Sequence, residues 1–156
     1  MKNKQILIGV IGGHKCDKKT QKIAYEIGKG IGQMGAILVC GGLGGVMQYP
    51  AQGAQENGGL TVGILPTDDK HDANKYIDIP IATGLGYTRN TLVITASDII
   101  VALKGQYGTL SEIGFSLNAK KPVIGIGSWQ IKGTKKAITS KQVVDTIKKI
   151  IKNGKI

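Results

Sequence analysis

Two kinds of segment alternate along the chain. Residues 6–11, 36–40, 60–65, 98–103 and 122–126 are short runs dominated by Ile, Val and Leu, with few polar interruptions. Such runs predict strands covered on both faces, as the strands of a parallel sheet are. The stretches between them carry apolar residues at helical spacing instead. Over 17–34 the set is Ile23, Ile27, Ile31 and Met34, closed by Gly35. A second helix is expected to run to about Asn57 and to stop at Gly58-Gly59. Pro50 lies within it, so it should begin late or kink, because proline is accepted only in a first turn. A short helix over 87–96 precedes one over 109–119, which carries Leu110, Ile113 and Leu117 on one face. Residues 77–83 predict a further strand, after a polar, acid-rich loop over 66–75; Pro80 places that strand at a bulge or in weak pairing. At the end, Thr139-Ser140-Lys141-Gln142 reads as a capping box. Val143, Val144, Ile147, Ile150 and Ile151 form the buried stripe of a last helix, which leaves Lys148, Lys149 and Lys152 outside.

Strands alternating with helices are the mark of βαβ units on a parallel sheet. The expected fold is therefore a three-layer, Rossmann-like, doubly wound α/β domain over 1–156, with a mostly parallel sheet of six or seven strands and no repeat or linker. The 24 glycines, roughly twice the usual ~7% share, sharpen this picture. Many follow strands: Gly12-Gly13, Gly41-Gly42-Leu43-Gly44-Gly45, Gly84 and Gly86, and Gly105 and Gly108. In a parallel sheet these positions are all carboxyl ends, so loops 12–16, 41–47, 83–90 and 104–112 converge on one rim. Helix N-termini on that rim present free N–H groups and suit an anion, most often phosphate. There is no Walker A sequence. A formal GxGxxG, Gly30-Ile31-Gly32-Gln33-Met34-Gly35, ends a helix and precedes a strand, the reverse of the dinucleotide context, so its glycines are expected to serve close helix-to-sheet packing.

The net charge of +11 matters less than its size suggests. Residues 132–156 hold eight lysines against one acid, Asp145, a balance of +7, while residues 1–131 carry +4. A solvated face on the last helix accounts for most of it. Single-strand binders interleave aromatics for stacking, and aromatics here are 4%, so nucleic acid is disfavoured as a partner; DNA binding through the lysine-rich C-terminal helix is kept only as an alternative. Twenty of the basic residues are lysine and one, Arg89, is arginine, the residue whose planar fork grips phosphate or carboxylate bidentately. Cys16 and Cys40 make no disulfide framework and point to a reducing cytoplasm. The start at Met1-Lys2-Asn3-Lys4 has no A-x-A site after its apolar run and is not expected to be a signal peptide, and no run reaches the ~18 residues of a membrane span. His14, Cys16, Cys40 and His71 lack metal-ligand spacing, so no metal is expected, and residues 68–72 read as a solvated loop. Trp129 either covers the ligand or plugs a gap.

Two loops carry more than glycine: Gly41-Gly42-Leu43-Gly44-Gly45-Val46-Met47, and Lys104-Gly105-Gln106-Tyr107-Gly108-Thr109-Leu110-Ser111-Glu112. The pair resembles the GGGxxGLMG and PGGxGTxxE signatures of the Lonely Guy family of cytokinin-activating phosphoribohydrolases, once mislabelled lysine decarboxylases. The order of elements, including Gly63-Ile64-Leu65-Pro66 and Lys121-Pro122-Val123, resembles more closely the molybdenum-cofactor carrier-like branch of that superfamily, over about residues 5–127. The resemblance implies catalytic roles for Arg89 and Glu112 if the protein is an enzyme. It implies ligand and phosphate binding by Gly12, Gly13, Gly41, Gly42, Gly44, Gly45, Val46, Met47, Arg89, Gly105, Gln106, Tyr107, Gly108 and Thr109. Cys40, Gln48, Lys104 and Gln106 depart from the motifs and alter the phosphate cradle. The expected function is accordingly that of a cytoplasmic carrier, a homodimer or homotetramer, binding a small phosphorylated ligand. That ligand would be an AMP-like nucleotide or the molybdenum cofactor, with no further cofactor required. The alternative is hydrolysis of the N-glycosidic bond of a nucleoside 5′-monophosphate, with Glu112 stabilising an oxocarbenium-like carbon or activating water.

Overall fold

The computed structural model describes residues 4–154 and 156; Met1, Lys2 and Asn3, which begin the stretch that mimics a signal peptide, and Lys155 lie outside them. Seven strands form one wholly parallel sheet in the order β4-β3-β2-β1-β5-β6-β7. They are β1 (Leu7–Ile11), β2 (Ile37–Cys40), β3 (Thr61–Leu65), β4 (Ile79–Ala82), β5 (Ile99–Ala102), β6 (Val123–Ile126) and β7 (Lys135–Ala137). The helices are α1 (Lys18–Gln33), α2 (Gln48–Gln55), α3 (Asn90–Ala96), α4 (Tyr107–Asn118) and α5 (Ser140–Lys152). Because side chains alternate across a strand, each central strand feeds two cores. Ile8, Val10, Ile99 and Val101 pack with α1, α2 and α5; Ile11, Val39, Ile100 and Ala102 pack with α3 and α4. The chain winds outward from β1 to β4, returns to β5 beside β1, and winds out again to β7. The order therefore reverses between β1 and β5.

Local signals explain most boundaries. Asp17 caps α1, its Oδ1 accepting from Thr20 N at 2.7 Å. At α5, Thr139 Oγ1 accepts from Gln142 N at 3.1 Å, while Gln142 Oε1 reaches one residue past the cap to accept from Ile138 N at 2.8 Å. Lys141, Lys148, Lys149 and Lys152 lie exposed on the outer side of that helix. α2 begins at Gln48 after a 3-10 turn over Gly45–Met47, which leaves Pro50 in its first turn where no N–H is needed.

Two expectations are corrected. β4 neither bulges nor pairs weakly: Gly63 pairs with Pro80 and Ile64 with Ile81 in unbroken register. Proline is tolerated there because β4 is an edge strand and needs hydrogen bonds on one side only. The Gly30-to-Gly35 glycines serve contact between helices rather than with the sheet. A Cβ on Gly32 would stand 2.6 Å from Ala54 O of α2, and one on Gly30 would stand 2.4 Å from the Val144 side chain of α5. β7 was not placed as an element from the sequence, since Lys135-Lys136-Ala137 has no apolar pattern.

The tightest helix contact is at Gly28 of α1, where a Cβ would lie 2.0 Å from Pro50 O. Gly28→Ala is expected to destabilise by about 1–3 kcal/mol, the usual cost of overpacking. Gly114→Ala, in α4 with nothing within 4 Å of the new methyl, is expected to stabilise by about 0.5–1 kcal/mol. Urea unfolding midpoints moving in opposite directions for the two variants check this.

Candidate ligand-binding cleft

A cleft of about 770 Å³ opens where the strand order reverses, between the loops that leave β1, β2 and β5 and the segment entering α3. That is the expected position for a ligand in an open α/β sheet, and the volume falls within the range of small-molecule sites. The loop after β1 ties the others together: Gly13 N donates to Lys104 O at 2.9 Å, and Gly13 O accepts from Val46 N at 3.1 Å. Gly45 makes the second link possible. It has a φ of +68°, and a Cβ there would stand 1.9 Å from His14 O.

Of the residues named from the sequence, Gly12, Gly13, Gly41, Met47, Arg89, Gly105, Gln106, Tyr107, Gly108, Thr109 and Glu112 line the cleft. Gly42, Gly44, Gly45 and Val46 stand behind it and shape the β2 loop. Asn74, in the polar loop before β4, holds that loop from outside, its Nδ2 donating to Gly42 O at 3.1 Å and Leu43 O at 2.8 Å. No local pattern in the sequence marks it. Asn90 also lines the cleft and accepts at Oδ1 from Arg89 Nη1. Trp129 does not line the cleft. Its Nε1 donates to Gly105 O at 3.1 Å and to Gln106 O at 3.2 Å, and its ring stacks on Tyr107, so it buttresses the β5 loop from behind.

Arg89 ends the 3-10 turn over Gly86–Arg89 and is 6% exposed. Its Nη2 donates to Gly41 O at 3.3 Å, and its buried Nε has no partner. Burial holds its pKa below the ordinary arginine value, with Glu112 and Cys40 working against that shift. Glu112 projects from the second turn of α4, also 6% exposed. Burial raises its pKa to about 7, with the positive charge of Arg89 opposing. Among the described residues no ion pair joins the two. α4 begins with no side-chain cap: Gln106 holds the cap position and makes no such bond, so the first N–H groups of α4 stay available at the cleft wall. Cys40, where the related motif begins with glycine, is a buried thiol raised to about 11, donating to Met47 O at 3.5 Å. Among the described residues no group of three or more His, Cys, Asp or Glu could hold a metal ion, and no helix is long and apolar enough to cross a membrane.

A carboxyl whose pKa rises from 4.5 unfolded to about 7 folded binds its proton more tightly in the native state. Its contribution to stability is fully present below pH 4.5 and is lost as pH rises to 7, by about 3 kcal/mol in all. Glu112→Gln removes this slope. The stability difference between wild type and variant, measured by urea unfolding at pH 4.5 and pH 8, is expected to change in the variant's favour by that amount.

The molybdenum cofactor binding protein of the phototrophic bacterium Rippkaea orientalis superposes with a TM-score of 0.89 at 34% identity, covering 95% of this chain and 98% of that one. The molybdenum cofactor carrier protein of Chlamydomonas reinhardtii gives 0.88 at 32%, covering 95% and 99%. A cytokinin riboside 5′-monophosphate phosphoribohydrolase of Mycobacterium tuberculosis is 31% identical over 122 residues, 69% of this chain and 63% of its own length. The model of the SLOG cluster4 family matches residues 5–154, and the chain belongs to that family.

Proposed function

We propose that the protein binds a phosphorylated heterocycle, an AMP-like nucleotide or the molybdenum cofactor, in the cleft and releases it unchanged, as a carrier does. The observation that carries this reading is Arg89, a buried guanidinium with no carboxylate in ion pair and one N–H unpartnered. A charge removed from water costs several kcal/mol unless it is compensated. A phosphate accepting from Arg89 and from the free N–H groups at the start of α4 supplies the missing charge to both. The two structural relatives named for binding or carrying molybdenum cofactor match nearly the whole chain, which supports the carrier type. Lys104, Gln106 and Gln48, where the hydrolase motifs have proline and glycine, favour holding over cleavage.

The second reading, cleavage of a nucleoside 5′-monophosphate to base and ribose 5-phosphate, is favoured at the site by Glu112 and among the relatives by the 31% identical phosphoribohydrolase. A carboxyl titrating near pH 7 suits proton transfer to a leaving base or activation of water. Mass spectrometry of the purified protein should find such a ligand. Arg89→Ala should bind AMP roughly tenfold or more weakly, and wild type should release no base from AMP or N6-substituted AMP. Base release by wild type that disappears in Glu112→Gln, with binding intact, would establish the hydrolase instead. If neither nucleotide nor pterin binds at millimolar concentration, both readings fail.

Self-association belongs to the same proposal. Gly114, Ser116 and Ala119 suggest from sequence a small-residue approach face on α4, but Ser116 points inward, its Oγ bonding Glu112 O at 2.6 Å. The exposed apolar side chains of α3 and α4 instead include Phe115 of α4, 53% exposed, and Leu92 of α3, 38% exposed. A homodimer through α3 and α4 would cover these two exposed side chains. Sedimentation should show a dimer or larger for wild type and a monomer for Phe115→Lys.

A further inference from the structure

Among the described residues two buried side-chain polar atoms have no hydrogen-bond partner, Arg89 Nε in the cleft and Ser128 Oγ. Native structures leave few such atoms, and each calls for a reason. Ser128 lines a separate cavity of about 390 Å³ on the α1 side of the sheet, at the carboxyl ends of β5, β6 and β7. Its apolar lining includes Ile23, Leu103, Ile126, Ala137 and Ile138. Three exposed cations from three elements line it as well: Lys19 of α1, Lys104 after β5 and Lys136 of β7. The one carboxylate among its lining residues, Asp17, caps α1 through Thr20 N and, lying near Lys19 and Lys104, offsets one of the three positive charges, which leaves a net balance of two. One wall is Trp129, the same side chain whose Nε1 bonds Gly105 O and Gln106 O.

We infer that this cavity is a second binding site, for a small organic phosphate. Lys19, Lys104 and Lys136 would meet the phosphate, Ser128 Oγ would hydrogen-bond to it, and Ile23, Leu103 and Ile126 would receive the carbon body. Three lysines are compact point charges that suit a dianion better than a carboxylate. A half-apolar pocket of this size takes a ligand with a carbon body rather than a bare ion. The two cavities share two parts. Lys104 lines both cavities, and Trp129 pins the loop that leads into α4.

Trp129 is the single tryptophan of the chain, so its fluorescence reads the site directly. The probe is phenyl phosphate, with phenol as its uncharged counterpart. Phenyl phosphate should shift the emission saturably, and phenol at equal concentration should not. The double variant Lys19→Gln/Lys136→Gln, altered only at exposed positions of this cavity, should weaken binding roughly tenfold or more. Arg89→Ala, altered only in the cleft, should leave it within about twofold, as expected for separate sites. No saturable shift overturns the inference, as does a shift unchanged in the double variant or lost in Arg89→Ala. Because the two sets of variants touch different cavities, failure here leaves the proposal for the cleft standing or falling on its own test.

Discussion

One residue, Gly13, organises the site. The loop after β1 donates from Gly13 N to the loop after β5 and accepts at Gly13 O from the loop after β2. Three carboxyl ends that could splay apart are thereby held against one another, and the gap above them becomes a cleft of fixed width. The link to Val46 requires the β2 loop to press on the His14 backbone, which only glycine at position 45 permits. Two glycines of this loop thus serve close approach rather than lining: Gly42 and Gly45 stand behind the wall that Gly41 and Met47 present.

Given that frame, the electrostatics of Arg89 and Glu112 follow from burial. Both side chains are almost wholly covered, yet they do not pair directly, so each keeps part of its desolvation cost. The arginine stays charged and asks for an anion; the glutamate gives way and takes up a proton near neutrality. Binding a phosphate would add negative charge beside Glu112 and push its proton affinity higher still, which ties ligand capture to proton uptake at that carboxyl. An enzyme could use that proton and a carrier could use the pH dependence, so the same pair of side chains is compatible with both activities in this superfamily.

Most of the architecture was legible in the sequence because it rests on short-range signals. Apolar runs marked six strands, and Asp17, Gly35 and Thr139 marked helix ends. The convergence of the glycine loops followed from strand polarity alone. β7 escaped because an edge strand of Lys-Lys-Ala has no apolar period to read. Pro80 misled because its cost depends on whether a strand has one neighbour or two, which is a property of the sheet. At the site, Arg89 and Glu112 stood out through a lone arginine and a motif. Asn74 did not, and the role of Trp129 stayed open between covering the ligand and plugging a gap, since both act through hydrogen bonds to carbonyls 23 to 32 residues away.

The proline in β4 has a consequence for the molecule in a crowded solution. An all-parallel sheet ends in two open edges, and strands exposed there invite another chain to add itself. β4 is the more hazardous of the two, with Ile79 and Ile81 each more than two-fifths exposed. Pro80 sits between them and lacks the backbone donor that an incoming strand would need to continue the ladder. The opposite edge carries Lys135-Lys136, whose like charges repel a second copy. Both borders of the sheet are therefore guarded against fibrous growth, one by a missing hydrogen and the other by charge.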